Sequence, residues 1–242
     1  MNMKVTAVVP SAGAGTRMQA SVKKPYLVLN DRPILAYALA VLDRISAIEK
    51  IIVPVSPGEE ELCEKQVLSG LSLHKEVVVI AGGKTRQDSV RKALDLVPES
   101  SSLVLIHDGV RPFVSASMVE HCLAETSKKL ATTVGVPVKD TITVVSGDDS
   151  RITKTLERKG LYLIQTPQTF DREIIIDAHN KAYHDGFEGT DDASLVERLD
   201  VPVIVIPGSY INIKITTKDD LVFAEAILSK QQSEDSVWEG KR

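Results

Sequence analysis

What most restricts this chain is a rhythm. Short runs rich in Val and Ile, at Val5–Pro10, Lys50–Ser56, Glu76–Gly82 and Leu103–His107, recur between longer segments of helical period. Runs that are apolar throughout, rather than alternating, suit strands covered on both faces. Between and after them lie Ile34–Arg44, Glu59–Leu71, Thr85–Leu96 and Ser115–Leu130. In the first of these, Ile34, Leu35, Leu39, Leu42 and Ile45 fall mostly three or four apart and form one apolar stripe, and Pro33 suits the opening of a helix. Strand and helix in alternation predict an α/β fold with a mainly parallel sheet, covered by helices and joined by right-handed crossovers.

The rhythm breaks after Val138. Thr141–Val145 and Ile152–Leu156 read as strands around the polar turn Ser146–Ser150, which is a hairpin signal. An isolated hairpin is marginal in water, so this one either packs on another chain or lies as a solvated ribbon. The sheet pattern resumes at Leu161–Gln165, Val201–Ile206 and Ile211–Thr216, with helices at Asp171–His184 and Lys218–Ser229. The polar tail Lys230–Arg242 is expected to fray. With no repeat and no linker, residues 1–229 read as one domain that includes an arm at about 139–160.

Charge and composition remove several classes of function. A formal charge of −4 offers no broad basic face for nucleic acid. No apolar run approaches the roughly 18 residues of a membrane span, and the start moves straight into a β-like run, without the long apolar segment of a signal peptide. Cys63 and Cys122 have neither metal spacing nor the look of a disulfide framework, so a cytoplasmic location is expected.

The strongest chemical signal is Pro10–Met18, PSAGAGTRM, directly after the first strand. Small residues leave backbone N–H groups uncovered, so the loop can fold around phosphate oxygens. Arg17 adds a fork of donors, and Lys23 and Lys24 follow within reach. A dinucleotide fingerprint is excluded by Met18, and a P-loop ending at Gly83-Lys84-Thr85 is excluded by Val78. Further polar clusters sit where strands end: Gly82–Ser89, His107–Pro112, Val138–Thr141 and Gln165–Gln168. Ligands of open α/β sheets bind outside the carboxyl ends of the strands, so these loops predict one continuous site. Asp108 either helps hold Mg²⁺ or caps the turn before Arg111; Thr190-Asp191-Asp192 either caps the next helix or touches substrate. Lys214 interrupts a β-branched run, as a solvated residue or as a further site cation. His179 and His184 read as helix-surface residues, and no Ser–His–Asp or HExxH arrangement is present.

In order along the chain, PSAGAGTRM, KKPY, GGKTRQDSV, HDGVRPF, PVKDT, TLERKGL, QTPQ, TDDAS and NIKIT resemble the nucleotidyltransferases, and within them the 2-C-methyl-D-erythritol 4-phosphate cytidylyltransferase family. The resemblance implies a Rossmann-like sheet, a hairpin arm that interlocks two subunits of a homodimer, and transfer of CMP from CTP to methylerythritol phosphate with Mg²⁺, in non-mevalonate isoprenoid synthesis. It places Ser11, Ala12, Gly13 and Gly15 on the CTP phosphates, and Arg17 and Lys24 on the transition state. It places Gly83, Lys84, Ser89 and Gly109 around cytosine and ribose. Asp108, Arg111, Thr141, Thr166, Thr190 and Lys214 fall at the methylerythritol phosphate, with Arg158 reaching in from the partner's arm. Ser11 stands where alanine is common, and Lys23-Lys24-Pro25-Tyr26 departs from the frequent Pro-Lys-Gln-Tyr/Phe, which leaves the shares of Lys23 and Lys24 open. The competing readings are a ribitol-5-phosphate cytidylyltransferase and a non-catalytic nucleotide-binding regulator.

Overall fold

A computed structural model describes residues 3–13, 23–147 and 150–239. The first half runs β1 (Val5–Val8), β2 (Val28–Leu29), β3 (Arg32–Pro33), α1 (Ile34–Asp43), β4 (Ile48–Val55), α2 (Glu60–Gln66), β5 (Glu76–Ala81) and α3 (Arg86–Leu94). The second runs β6 (Leu103–Ile106), α4 (Ala116–Lys129), β7 (Ala131–Pro137), β8 (Thr143–Val145), β9 (Ile152–Thr155), β10 (Tyr162–Asp171), α5 (Arg172–His184), α6 (Asp192–Glu197), β11 (Ile204–Pro207) and α7 (Lys218–Glu239). Seven strands make one sheet in the order β11-β7-β10-β6-β1-β4-β5. All neighbours are parallel except β10, which runs against both β6 and β7. The mainly parallel α/β architecture read from the sequence is the one observed.

The alternation of side chains along β1 explains why both faces are covered. Val5, Ala7 and Val9 meet Leu39 of α1, Cys63 of α2 and Leu123 of α4. Val8 points the other way and shares a cluster with Ile52, Val104, Val90 of α3, Ala178 of α5 and Val196 of α6. A third cluster, around Leu29, Ile34, Phe113, Ile215 and Ala224, seats α7. β1 pairs with β4 on one flank and β6 on the other, so the chain moves outward to β5 and then returns across β1. That reversal opens a crevice at the carboxyl ends of β1 and β6.

Several boundaries differ from the sequence reading. β7 lay outside it altogether, and β10 is ten residues long rather than ending at Gln165. Pro167 has no N–H to give the ladder, and the pairing of β10 with β7 shifts register between Gln165 and Gln168. Ile211–Thr216 is not a strand: its Ile213 and Ile215 are apolar because they pack into the cluster beneath α7. The helix expected to stop at Ser229 continues to Glu239 and takes in most of the segment expected to fray. Among the described residues β8 and β9 pair only with each other, as a hairpin outside the main sheet.

Candidate active site

Four separate stretches meet at the crevice. The strand end Pro10–Gly13, the turn carrying Lys24, the β5–α3 loop and the Asp108 loop line a cleft of about 420 Å³, closed by Lys214 and Thr216. Each loop is fixed locally. Ser11 N–H donates to the Pro54 carbonyl (2.8 Å), and its hydroxyl donates to the Val9 carbonyl (3.1 Å). Thr85 caps α3: its hydroxyl accepts from Asp88 N–H, while the Asp88 carboxylate accepts from Thr85 N–H. Ser89 ties the loop from inside, accepting from Gly83 N–H and donating to the Thr85 carbonyl, each at 2.9 Å.

Two glycines permit this closeness. A Cβ on Gly109 would lie 2.3 Å from Ser11 Oγ and 2.9 Å from Leu35 Cδ1. One on Gly83 would lie 2.2 Å from Asp88 Cβ, inside the capping box. Both positions require the absence of a side chain.

The centre of the site is a buried carboxylate among cations. Asp108 Oδ1 accepts from Arg86 Nε at 2.9 Å; its Oδ2 lies 2.8 Å from Lys214 Nζ and 3.7 Å from Arg111 Nε. Burial pushes its pKa up, but Arg86, Lys214 and Arg111 outweigh that and hold the carboxyl well below the usual range. Arg111 is itself anchored, donating from Nη1 to the Asn212 carbonyl at 2.8 Å. Behind Asp108 stands His107, fully buried, with its pKa lowered to about 4 by desolvation. A neutral ring satisfies all its neighbours: Nε2–H donates to the Arg111 carbonyl, and Nδ1 accepts from the Thr166 hydroxyl, which itself accepts from Asp108 N–H. His107 is thus a strut that sets the Asp108 loop, with no nitrogen left over for proton transfer.

Of the residues expected at a site, Ser11, Ala12, Gly13, Lys24, Lys84, Ser89, Asp108 and Lys214 line this one cleft. Gly83, Gly109, Arg111 and Thr166 support its walls from behind. Thr190 borders a separate hollow of about 160 Å³ that shares Arg86 with the cleft. Thr141 and Arg158 are exposed at the foot of the hairpin, and the fold does not bring them to this chain's own cleft; Arg158 donates to the Lys139 carbonyl. Gly15 and Arg17 lie outside the described residues. Lys23 forms an ion pair with Glu59, whereas Lys24 lines the cleft, which separates two neighbours that the sequence left together.

Arg86 was missed as a site residue although its motif was noted. Its position two residues after Lys84, opening a capped helix, was the available signal. His179 corrects another expectation: it is fully buried, with Nε2 3.0 Å from Asp192 Oδ1. Asp191, not Asp192, caps α6. Asp108 does not fit as a ligand for Mg²⁺, because a dication there would sit among three cations already holding both oxygens. Among the described residues no group of three or more His, Cys, Asp or Glu is arranged to hold a metal, and no helix is long and apolar enough to cross a membrane.

Comparison with known proteins shows the family. The sequence model of a family described as 2-C-methyl-D-erythritol 4-phosphate cytidylyltransferase matches residues 5–230. A relative of that name from Desulforamulus reducens is 44% identical over 227 residues, covering 94% of this chain and 97% of the relative. The crystal structure of 4-diphosphocytidyl-2C-methyl-D-erythritol synthase from Anaerococcus prevotii is similar with a TM-score of 0.82 and 32% identity, over 94% of this chain and 97% of that one. A 2-C-methyl-D-erythritol 4-phosphate cytidylyltransferase from Thermus thermophilus has a TM-score of 0.76 and 32% identity, over 93% and 98%.

Proposed function

Since the chain belongs to the 2-C-methyl-D-erythritol 4-phosphate cytidylyltransferase family, we propose that it converts CTP and 2-C-methyl-D-erythritol 4-phosphate to 4-CDP-2-C-methyl-D-erythritol and pyrophosphate, a step of non-mevalonate isoprenoid synthesis. An oxygen of the phosphomonoester attacks the α-phosphorus in line; the new P–O bond forms as the α–β bridge breaks and pyrophosphate leaves. A phosphomonoester with a second pKa of about 6 is already an anion at neutral pH, so no general base is required. The occupied nitrogens of His107 accord with that. The difficulty is to bring two anions together while charge gathers at phosphorus, and fixed cations and positioning address it.

The observation that carries this reading is the convergence of Lys24, Lys84, Arg86 and Lys214 on one cleft beside the small residues of Pro10–Gly13. In this reading Ala12, Gly13 and Gly15 receive the triphosphate through backbone N–H groups, and Ser11, whose own N–H is held by the Pro54 carbonyl, fixes the start of that loop. Lys24 and Arg17 stabilise the transition state. Gly83, Lys84, Ser89 and Gly109 shape the cytosine and ribose end. Asp108 and Lys214 face the methylerythritol phosphate, with Arg111 and Thr166 fixing Asp108, and Thr190 lies beyond Arg86. A divalent ion of the Mg²⁺ class, when bound, would offset phosphate charge in the cleft, and Asp108 would not be its ligand because Arg86 and Lys214 hold its two oxygens.

The arm belongs to a homodimer. Val144, Val145 and Ile152 on the hairpin are exposed, and Tyr162 and Leu163 expose further apolar surface where β10 begins. A second copy covering this surface brings Thr141 and Arg158 to the neighbouring cleft. Cys63 and Cys122 are buried free thiols, which suits the cytoplasm.

The test is pyrophosphate release from CTP and Mg²⁺ with methylerythritol 4-phosphate or ribitol 5-phosphate as acceptor. Turnover favouring methylerythritol 4-phosphate supports the reading. Faster use of ribitol 5-phosphate, or binding without release, overturns it.

A further inference from the structure

The mechanism above leaves a fully buried histidine and a fully buried aspartate without a task. His179 of α5 and Asp192 of α6 are 0% and 1% exposed, and neither lines the cleft. They begin a row of alternating groups that ends inside it. His179 Nε2 lies 3.0 Å from Asp192 Oδ1, and Asp192 Oδ2 lies 2.8 Å from Arg86 Nη1. Arg86 Nε donates to Asp108 Oδ1 at 2.9 Å, and Asp108 Oδ2 lies 2.8 Å from Lys214 Nζ.

We infer that Asp192, held by His179, is a positioning residue that aims the Arg86 guanidinium at Asp108 and thereby sets Lys214 for the acceptor phosphate. Arg86 opens α3 on a long side chain with several rotatable bonds. A single contact would leave its planar head free to swivel. A hydrogen bond to Asp108 at Nε and an ion pair with Asp192 at Nη1 restrict the head from two sides. Asp192 needs fixing in turn, because a carboxylate can rotate about its own stem, and the His179 bond removes that freedom.

The cost of this arrangement argues for its purpose. Burying charged groups requires giving up hydration, and apolar side chains of similar volume often serve a core as well or better. The surroundings could accept them: Leu195 and Val196 of α6 and Ala178 and Ala182 of α5 belong to one apolar cluster. A polar row that leads from this cluster to the cleft, rather than closing on itself, is explained by the geometry it imposes at Asp108. Burial opposes the ionised form of Asp192, yet Arg86 and His179 outweigh it and keep the carboxyl below its ordinary range.

The inference rests on the cytidylyl-transfer reading, and the experiment separates the two. Wild-type turnover is measured first; its absence overturns the reading and the inference with it. A double-mutant cycle is then built from Asp192→Asn, Arg86→Gln and the double variant, with KM for both substrates, kcat and melting temperature recorded. Asp192→Asn is expected to raise KM for methylerythritol 4-phosphate about five- to twenty-fold while KM for CTP stays within about twofold. In the Arg86→Gln background the same change is expected to alter that KM by less than about twofold, because its route to the substrate is gone. Multiplicative effects on KM in the double variant overturn the inference, as does an equal rise in both KM values. So does a fall in melting temperature with KM unmoved. If Asp192→Asn does not fold, His179→Gln replaces it in the same cycle, under the same expectations.

Discussion

The wall of the cleft and the hairpin arm are built on opposite principles. In the wall, Asp108, Arg86, Arg111 and Lys214 answer one another within a single chain, and His107 and Thr166 brace them from behind. In the arm, β8 and β9 pair only with each other and leave Val144, Val145 and Ile152 exposed. The described part of the wall is braced from within one chain; the arm presents apolar surface that no described residue buries. The contrast sets charged groups that one chain holds in place against apolar surface that the proposed homodimer would cover.

The hardest blow to the wall is the loss of a cation proposed to reach the triphosphate. Lys24→Ala is expected to lower kcat about 10²–10³-fold, or about 2.7–4 kcal/mol, with the fold intact by circular dichroism. A folded variant with near-normal kcat would remove Lys24 from the reaction and leave the wall as scaffolding.

Acid attacks the same wall through its strut. The pKa of His107 falls from about 6.5 in the unfolded chain to about 4 in the folded one. The unfolded state therefore binds more protons between those values, and stability is full above about 6.5 and declines as pH falls toward 4. The decline is on the order of 3 kcal/mol, and melting temperatures from pH 7 to pH 4 should show it, shallower in His107→Gln. Asp108, whose pKa is depressed, adds a further loss that begins only below the ordinary aspartate range. An equal decline in His107→Gln would place the acid-sensitive group elsewhere.

The arm should respond least to such charges and most to the loss of apolar contact. Ile152→Asp is expected to weaken the dimer about tenfold, read by analytical ultracentrifugation across a dilution series, with the melting behaviour of the monomer unchanged. An unaltered dimer would move the interface off the hairpin and dissolve the contrast.

Much of the parallel half was legible because its strands announce themselves. Val5–Val8 and Leu103–Ile106 are short, apolar and followed by turn residues, and the clusters at their ends meet as the open-sheet rule requires. The other half hides its pattern. β7 begins Ala-Thr-Thr, whose hydroxyls are spent on buried neighbours: Thr132 bonds Thr126 of α4, and Thr133 donates to the Gln165 carbonyl of β10. Polar letters there mean burial with partners, a reading open only once the partners are placed. Ile211–Thr216 erred the other way, since branched apolar residues describe a packed loop as well as a strand. Arg86 and His179 owe their roles to contacts across more than a dozen positions of sequence, which no local period records.

Gly109 carries one more consequence. Because a single added carbon there would strike Ser11 and Leu35, the gap between the first-strand loop and the acid-bearing loop is set by an atom that is missing. A side chain at Gly109 would therefore require both neighbours to move. Room for a bulkier ligand is to be sought at Val110 or Thr216, which line the cleft, and not at Gly109.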